Sequence, residues 1–553
     1  RIMNKTFLFS CALSIGLFSC TEQASNFDAT ALDSTALEAI TEESYKAHVA
    51  QLASDDFLGR KPFTKGDTLT VNYIEEQFKA IGLEPGNGDS YFQEVPMVEI
   101  TSKPVNPILS FSGTRGLLNI NYLDDYVIGT RKLKDNISIN LTGLVFVGFG
   151  IVAPEYNWND YEGLDVRGKT VVVMVSDPGR YDKNLFKADT MTYYGRWRYK
   201  FEEAGRQGAT GILLIHETGA ASYGWDVVRS GWSGPQLELT TNNQDELPDY
   251  EGWISLETAK ELFRIGGVNL RHMELAKKPG FKGFPMNVIT KVELKNTFRH
   301  SKSNNVIAKI SGTKRADETI IYTAHWDHLG IGEAVNGDSI YNGAIDNAAG
   351  VSALFEIGKA FKAAKHQPER TIVFIALTAE EEGLLGSSYY ANNPIYPLNK
   401  TVANLNIDAF SPLGETKDVS IVGIGQTEIE DYVERSAAKF GRTVVGEKNP
   451  TSGGFYRSDH FNFVKKGVPG LFMGSGSELI SVDSVANEKR KEALANRYHK
   501  PQDELDENWD FGGILADIRL FFDIGYVMSQ EKTFPQFKAT SEFRELGEKR
   551  LSK

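Results

Sequence analysis

The chain has 553 residues, too many for one compact core, so two or more domains are expected. With 41% hydrophobic and 24% charged residues it has an ordinary soluble globular composition beyond its first twenty residues. A formal charge of -13 with no compensating basic block leaves no electrostatic footprint for nucleic acid.

Met3-Asn4-Lys5 supplies a short positive region and Phe7 to Phe18 an apolar run. That run is too short to span a bilayer as a stable helix but suits an export signal over residues 1–19. Its ending, Leu17-Phe18-Ser19-Cys20, resembles a bacterial lipobox, in which the cysteine is lipidated and becomes the mature first residue. Phe18 is bulkier than that pattern usually carries, and an ordinary cleaved signal is the alternative. Acyl chains on Cys20 would anchor the protein to the outer side of a bacterial membrane. The other cysteine, Cys11, lies inside the signal, so the mature chain is expected to hold no intramolecular disulfide.

Residues 20–40 are small and polar and read as a tether, with the main domain starting over 41–124. There, Tyr45, Val49 and Leu52 recur at helical spacing, as do Val71, Ile74, Phe78 and Ile81, with Gly82 as a C-cap. Short strands follow from about 105, and 125–295 reads as a separate unit built on the runs LVFVGFGIV, KTVVVMVSD and GATGILLIHE. Its order of loop, DVRGKTVVVMV and EEAGRQGATGILLI resembles the protease-associated domain, a small β-rich module without catalytic residues. Residues 296–530 alternate strand and helix, which implies a mostly parallel mixed sheet covered on both faces, an α/β fold. A helix from about Phe511 to Met528 closes it, and 531–553 is a charged C-terminal tail.

Sheets of this kind carry their sites at the carboxyl ends of the strands. TIIYTA ends in His325-Trp326-Asp327-His328, the following helix is preceded by Asp346-Asn347, TVANLNI ends in Asp408, and His499 precedes Pro501. TIVFIALTA ends in Glu380, Glu381 and Glu382, whose mutual repulsion needs water or a cation to offset it. Singly, each feature is an ordinary cap, turn or loop residue. Together, two histidines and three carboxylates make an oxygen and nitrogen donor set without thiolate, suited to zinc. They suffice for two ions if one carboxylate bridges, which would place the ions about 3.5–4 Å apart.

The motifs H-x-D, G-x-x-D-N-x-x-G, A-E-E-x-G-L-x-G-S, N-x-D, S-D-H and Y-H-x-P-x-D resemble those of the M28 family of zinc peptidases, over residues 45–110 and 295–530. A protease-associated domain inserted at this point occurs in several members. The resemblance implies two zinc ions per chain, held by His325, Asp346, Glu381, Asp408 and His499, with Asp346 bridging. It implies Glu380 as general base and Asp327 as the carboxylate orienting the His325 ring. Glu382 falls on the unspecified position and is expected to be solvated. His460 of Arg457-Ser458-Asp459-His460 is expected to face the site and donate to the developing oxyanion, with a capping, structural histidine as the alternative.

The function so implied is an exported, metal-dependent aminopeptidase acting on peptides. Carboxypeptidase, dipeptidase and single-zinc glutaminyl cyclase relatives share much of the motif set, although two intact ligand pairs argue against the cyclase. A non-catalytic binding protein is the reading from another class, opposed by the complete donor set.

Overall fold

The structure is a computed structural model and describes residues 27–480 and 484–552. The export signal, Cys20 and the first part of the tether lie outside the described residues.

Two strands tie the molecule together. β1 (Phe92–Pro104) and β2 (Phe284–Ile310) pair antiparallel from Phe92↔Val306 to Pro104↔Leu294. The first half of β2 belongs to the inserted unit, where it pairs with Asn136–Phe146. Its last residues, Val306–Ile310, pair with the main sheet. That sheet holds β3 (Arg315–His325), β4 (Arg370–Leu377), β5 (Thr401–Asn406) and β6 (Gly470–Ser475), in the spatial order β2, β4, β3, β5, β6. β4, β3, β5 and β6 run parallel, so the α/β fold with a mostly parallel mixed sheet is the one observed.

Strand composition explains the layering. β4 and β5 are buried at every residue and rich in β-branched side chains, as strands covered on both faces must be. Ile320, Tyr322 and Ala324 of β3 face helices α1 (Lys65–Ile81), α2 (Ala349–Ala363) and α3 (Phe511–Gln530). Ile321 faces the other way, with Val373, Tyr390 and Phe463. α1 starts where the Thr64 hydroxyl accepts from the Gly66 N–H and stops at Gly82, whose φ of 78° a side chain would strain. Phe361 of α2 is fully buried edge-on to Phe522 at 5.0 Å, and truncating such a ring to alanine costs about 3–5 kcal/mol.

The inserted unit has its own parallel strands, Asn136–Phe146, Thr170–Met174, Gly211–His216 and Tyr250–Ser255, and its own core around Phe146, Val172, Leu213 and Phe263. The chain enters it before residue 125, because the hairpin Ile108–Gly113 and Gly116–Asn121 docks on β2 and contributes Leu109, Phe111 and Ile120 to that core.

Both segments read as loose ends pack down. In the described part of the tether, Ala36 and Ile40 are buried against the main core. In the tail, Phe537 and Phe543 are buried, and α4 (Arg544–Leu551) sends Arg550 to the carbonyls of Leu398 and Thr401 at 2.6 Å. Isolated aromatic residues in a polar run carry no periodicity, which is why the sequence reads as a tail. No helix among the described residues is long and apolar enough to cross a membrane.

A candidate dimetal site at the carboxyl edge of the sheet

His325 is the last residue of β3, and its ring lies among carboxylates. Its Nε2 is 3.1 Å from Asp346 Oδ1 and 3.3 Å from Asp408 Oδ1. The second oxygen of Asp346 faces the other way, with Oδ2 3.3 Å from His499 Nε2, which is itself 3.1 Å from Glu381 Oε2. One carboxylate thus stands between two His–carboxylate pairs, and all five sequence-predicted ligands meet.

Local structure accounts for each placement. Asp346 sits in the irregular turn Ala344–Ala348 that opens α2, and the Asp503 carboxylate accepts the N–H groups of Ile345 and Asp346. Asn347 ties this turn to the end of β5: its amide donates to the Ile407 carbonyl, and its oxygen accepts from Gly350 and Ala409. Asp408 accepts a short hydrogen bond from the Ser458 hydroxyl, which is held by Asn406. After β4 the chain turns through Ala379 at φ 52°, and the Asp327 carboxylate accepts the Glu380 N–H at 3.0 Å and the Glu381 N–H at 3.3 Å.

Three sequence expectations need correction here. The Nδ1 of His325 is met by the Asp327 carbonyl at 3.1 Å, with the carboxylate at 3.7 Å, so the Asp327 side chain mainly orders the Glu380-Glu381 turn. His460 is fully buried between Phe455 and Phe472, with ring centroids at 4.8 and 5.2 Å. Neither of its ring nitrogens has a hydrogen-bond partner, and burial lowers its pKa to about 3. The short helix that begins at His460 turns its ring into the core, and Ser458 is the member of Ser-Asp-His that reaches the ligands. Glu382 is part-buried and paired with Lys61 at 3.3 Å rather than solvated.

Sequence reasoning also passed over three residues. His328 is buried, with Nδ1 2.6 Å from Glu381 Oε1, and its position in His-x-Asp-His was the available signal. Asp503 ends the Tyr-His-x-Pro-x-Asp run. Arg60, from the segment before α1, donates to the carbonyls of Leu52, Trp326, Asn342 and Gly343 at 2.6–2.9 Å, clamping the two loops that carry His325 and Asp346.

Charge inside the cluster is unbalanced. Glu380, Glu381, Asp346 and Asp408 have no ion pair to Lys or Arg among the described residues; the close partners of the last three are imidazoles. Burial opposes a charge on His325, but the surrounding carboxylates of Glu380, Asp408, Asp327 and Asp346 raise its pKa well above the usual value. Burial also opposes charge on His499, and hydrogen bonds to Asp346 and Glu381 raise it to about 10. Burial pushes Glu380 well up, opposed by His325 and helped by Asp408 and Glu381. Burial and Asp346 push Glu381 up, yet hydrogen bonds from His328 and His499 bring it to about 2.

The donors fit divalent ions. Two atoms on bonds of about 2 Å to one tetrahedral ion lie roughly 3.3 Å apart, and the four separations above are 3.1 to 3.3 Å. A bound cation would need the carboxylates ionised and the imidazoles neutral, and would offset the repulsion among the carboxylates.

Residues 305–520 match Peptidase family M28. A protein from Arabidopsis thaliana described as "Probable glutamate carboxypeptidase AMP1" is 25% identical over 375 residues, 62% of this chain and 48% of the relative. "Leucine aminopeptidase 2" of Arthroderma otae is 26% identical over 340 residues, 59% of this chain and 63% of the relative. The chain therefore spans about half of one relative and under two thirds of the other. Among solved structures, an aminopeptidase from Aneurinibacillus sp. strain AM-1 aligns with a TM-score of 0.48 at 17% identity, covering 89% of this chain and 95% of that one.

Proposed function

We propose that this chain, whose residues 305–520 match Peptidase family M28, is a metal-dependent exopeptidase and, more narrowly, an aminopeptidase. The observation that carries the reading is Asp346, a carboxylate whose two oxygens each face a His–carboxylate pair, with the half-buried Glu380 alongside. His325 and Asp408 would hold one ion and Glu381 and His499 the other, with zinc favoured by the donor types. Bound there, the pair of ions supplies Lewis acidity for the scissile carbonyl and lowers the pKa of the attacking water.

The chain's own residues do the rest. Glu380 takes a proton from the water as its oxygen bonds to the carbonyl carbon, and returns it to the amide nitrogen as the C–N bond breaks. Asp327 fixes the backbone of Glu380 and Glu381, so base and ligand are aimed together. Ser458 and Asn406 hold Asp408, and His328 holds the outer oxygen of Glu381. The run Met3 to Cys20 supports the further proposal that the protein is exported and lipid-anchored through Cys20, which incorporation of a labelled fatty acid by the native chain and not by Cys20→Ala would test.

Short peptides with free or acetylated N-termini, offered with and without a chelator, test the reading. Chelator-sensitive release of the first residue from free peptides is the expected result. Cleavage of acetylated peptides from the other end would make the protein a carboxypeptidase. No cleavage of either, with metal bound, would discard the peptidase reading.

A further inference from the structure

The candidate site opens at the carboxyl edge of the main sheet, into a cleft of about 1210 Å³ that reaches the inserted unit. The first described residues dock at the opposite edge. Phe27 stands edge-on to His366 and Tyr526, with ring centroids at 5.8 and 5.5 Å. The Asp33 carboxylate accepts from the Lys365 N–H at 2.7 Å and from the Tyr526 hydroxyl at 3.1 Å. Lys365 and His366 lie just before β4 enters the sheet at Arg370. The helices measure the separation. α2 follows the turn that carries Asp346 and runs for 15 residues, a rise of about 22 Å, to end just before Lys365.

Charge at this amino edge is unevenly matched. Its carboxylates have partners: Glu369 pairs with Lys314, Glu318 with Arg370, Asp523 with Lys439 and Glu531 with Arg435, at 2.6–3.0 Å. Asp28 is exposed and accepts from the N–H and hydroxyl of Thr30. Lys362, Lys365 and Lys532 are exposed, and their ammonium groups have no carboxylate in ion-pair contact among the described residues. The Gln530 side chain donates to the Gln367 carbonyl at 3.0 Å, which brings Lys532 to the same edge as Lys365. Three free lysines at one edge are unexpected in a chain with a formal charge of -13. Cys20 is seven residues from Phe27, and that much chain spans at most about 25 Å.

We propose that the amino edge of the main sheet, with Lys362, Lys365 and Lys532, lies on an anionic lipid bilayer, so that the candidate site opens away from the membrane. The inference rests on the proposed lipid anchor at Cys20 for its proximity, and on the unmatched lysines for its chemistry. Each ammonium group held within a Debye length of anionic headgroups favours this orientation by about fivefold. With Cys20 in the headgroup layer, Phe27 stays within about 25 Å of it, and α2 carries the Asp346 turn about 22 Å further out. A site so placed takes its substrates from solution, not from the bilayer surface.

The test uses the full chain on vesicles containing phosphatidylglycerol, with the lysines themselves as probes. A water-soluble acylating reagent modifies exposed amines, and peptide mass spectrometry reads the rate at each one. On these vesicles Lys362, Lys365 and Lys532 should react about fivefold or more slower than in the free protein. Lys183 of the inserted unit and Lys500 beside His499, both exposed, should keep their rates. Neutral phosphatidylcholine or high salt should remove the protection, and Lys532→Glu should weaken it at the other two lysines. Incorporation of a labelled fatty acid decides the anchor separately. If Cys20 takes up none, a Cys11→Ser chain coupled through Cys20 to a maleimide lipid supplies the tether, and the same rates decide the surface. Equal protection of all these lysines on tethered protein, or protection of none, would overturn the surface and leave the anchor and the peptidase reading standing.

Discussion

Glu380, Glu381 and Glu382 are chemically identical in sequence and differ entirely in their neighbours. Glu381 is gripped by His328 and His499, Glu382 by Lys61, and Glu380 alone has no side-chain hydrogen bond or ion pair, only a backbone tether with His325 and carboxylates near it. Replacing Glu380 by Gln should therefore cut kcat/KM by roughly a hundredfold to ten-thousandfold, with metal content unchanged by elemental analysis. A variant that turns over peptides normally would remove Glu380 from the mechanism. His460 makes the second prediction at this scale. Its folded pKa of about 3 lies below the ordinary value of 6.5, so between these values the unfolded chain binds the extra proton. That contribution to stability is present above pH 6.5 and is lost as pH falls toward 3. Between pH 7.5 and 5 the native protein should lose about 2 kcal/mol more than His460→Leu, in denaturant titrations of the two. Comparing slopes cancels any constant packing cost of the leucine, and parallel slopes would mean that His460 is not held neutral.

At the level of elements, the cluster of donor residues was readable because buried β-branched runs end abruptly in His, Asp or Glu, and three such endings follow β3, β4 and β5. What places those endings was not readable. Arg60 and Asp503 act through backbone groups of remote loops, and a lone Arg or Asp in a loop carries no pattern. His460 was misread because the helix begins there: Ser458, still in the preceding loop, reaches Asp408, while the ring of His460 turns into the core. Arg60 gives the prediction here. Removing four carbonyl hydrogen bonds with Arg60→Met should loosen both ligand loops and lower metal affinity by about 10–100-fold, measured by competition with a chromogenic chelator. Native affinity in that variant would show that the loops hold themselves.

Across the whole molecule, the strands of the inserted unit were legible in sequence, but the approach of its Arg198 to Gly383 after β4 was not, since the two meet only through folding. The C-terminal segment helps to hold that meeting. Glu542 pairs with Lys187 of the inserted unit and accepts from Tyr456 of the main domain at 2.7 Å. Phe537 and Phe543 fill the space beneath. Ending the chain at residue 533 should lower the melting temperature by several degrees and weaken peptide turnover, mainly through KM, because the cleft loses one of its braces. Unaltered KM in a folded truncation would assign the brace to the strands alone.

β2 belongs to both units, and this has a consequence in time as well as in space. A junction made of loose chain would open in isolation and take up deuterium within seconds. Here Leu294 to Val306 are laddered to β1 across the boundary, so their amides can be released only when the strand pair itself comes apart. Residues 298–306 should therefore exchange as slowly as β4, with the two units losing protection in one cooperative event rather than in turn.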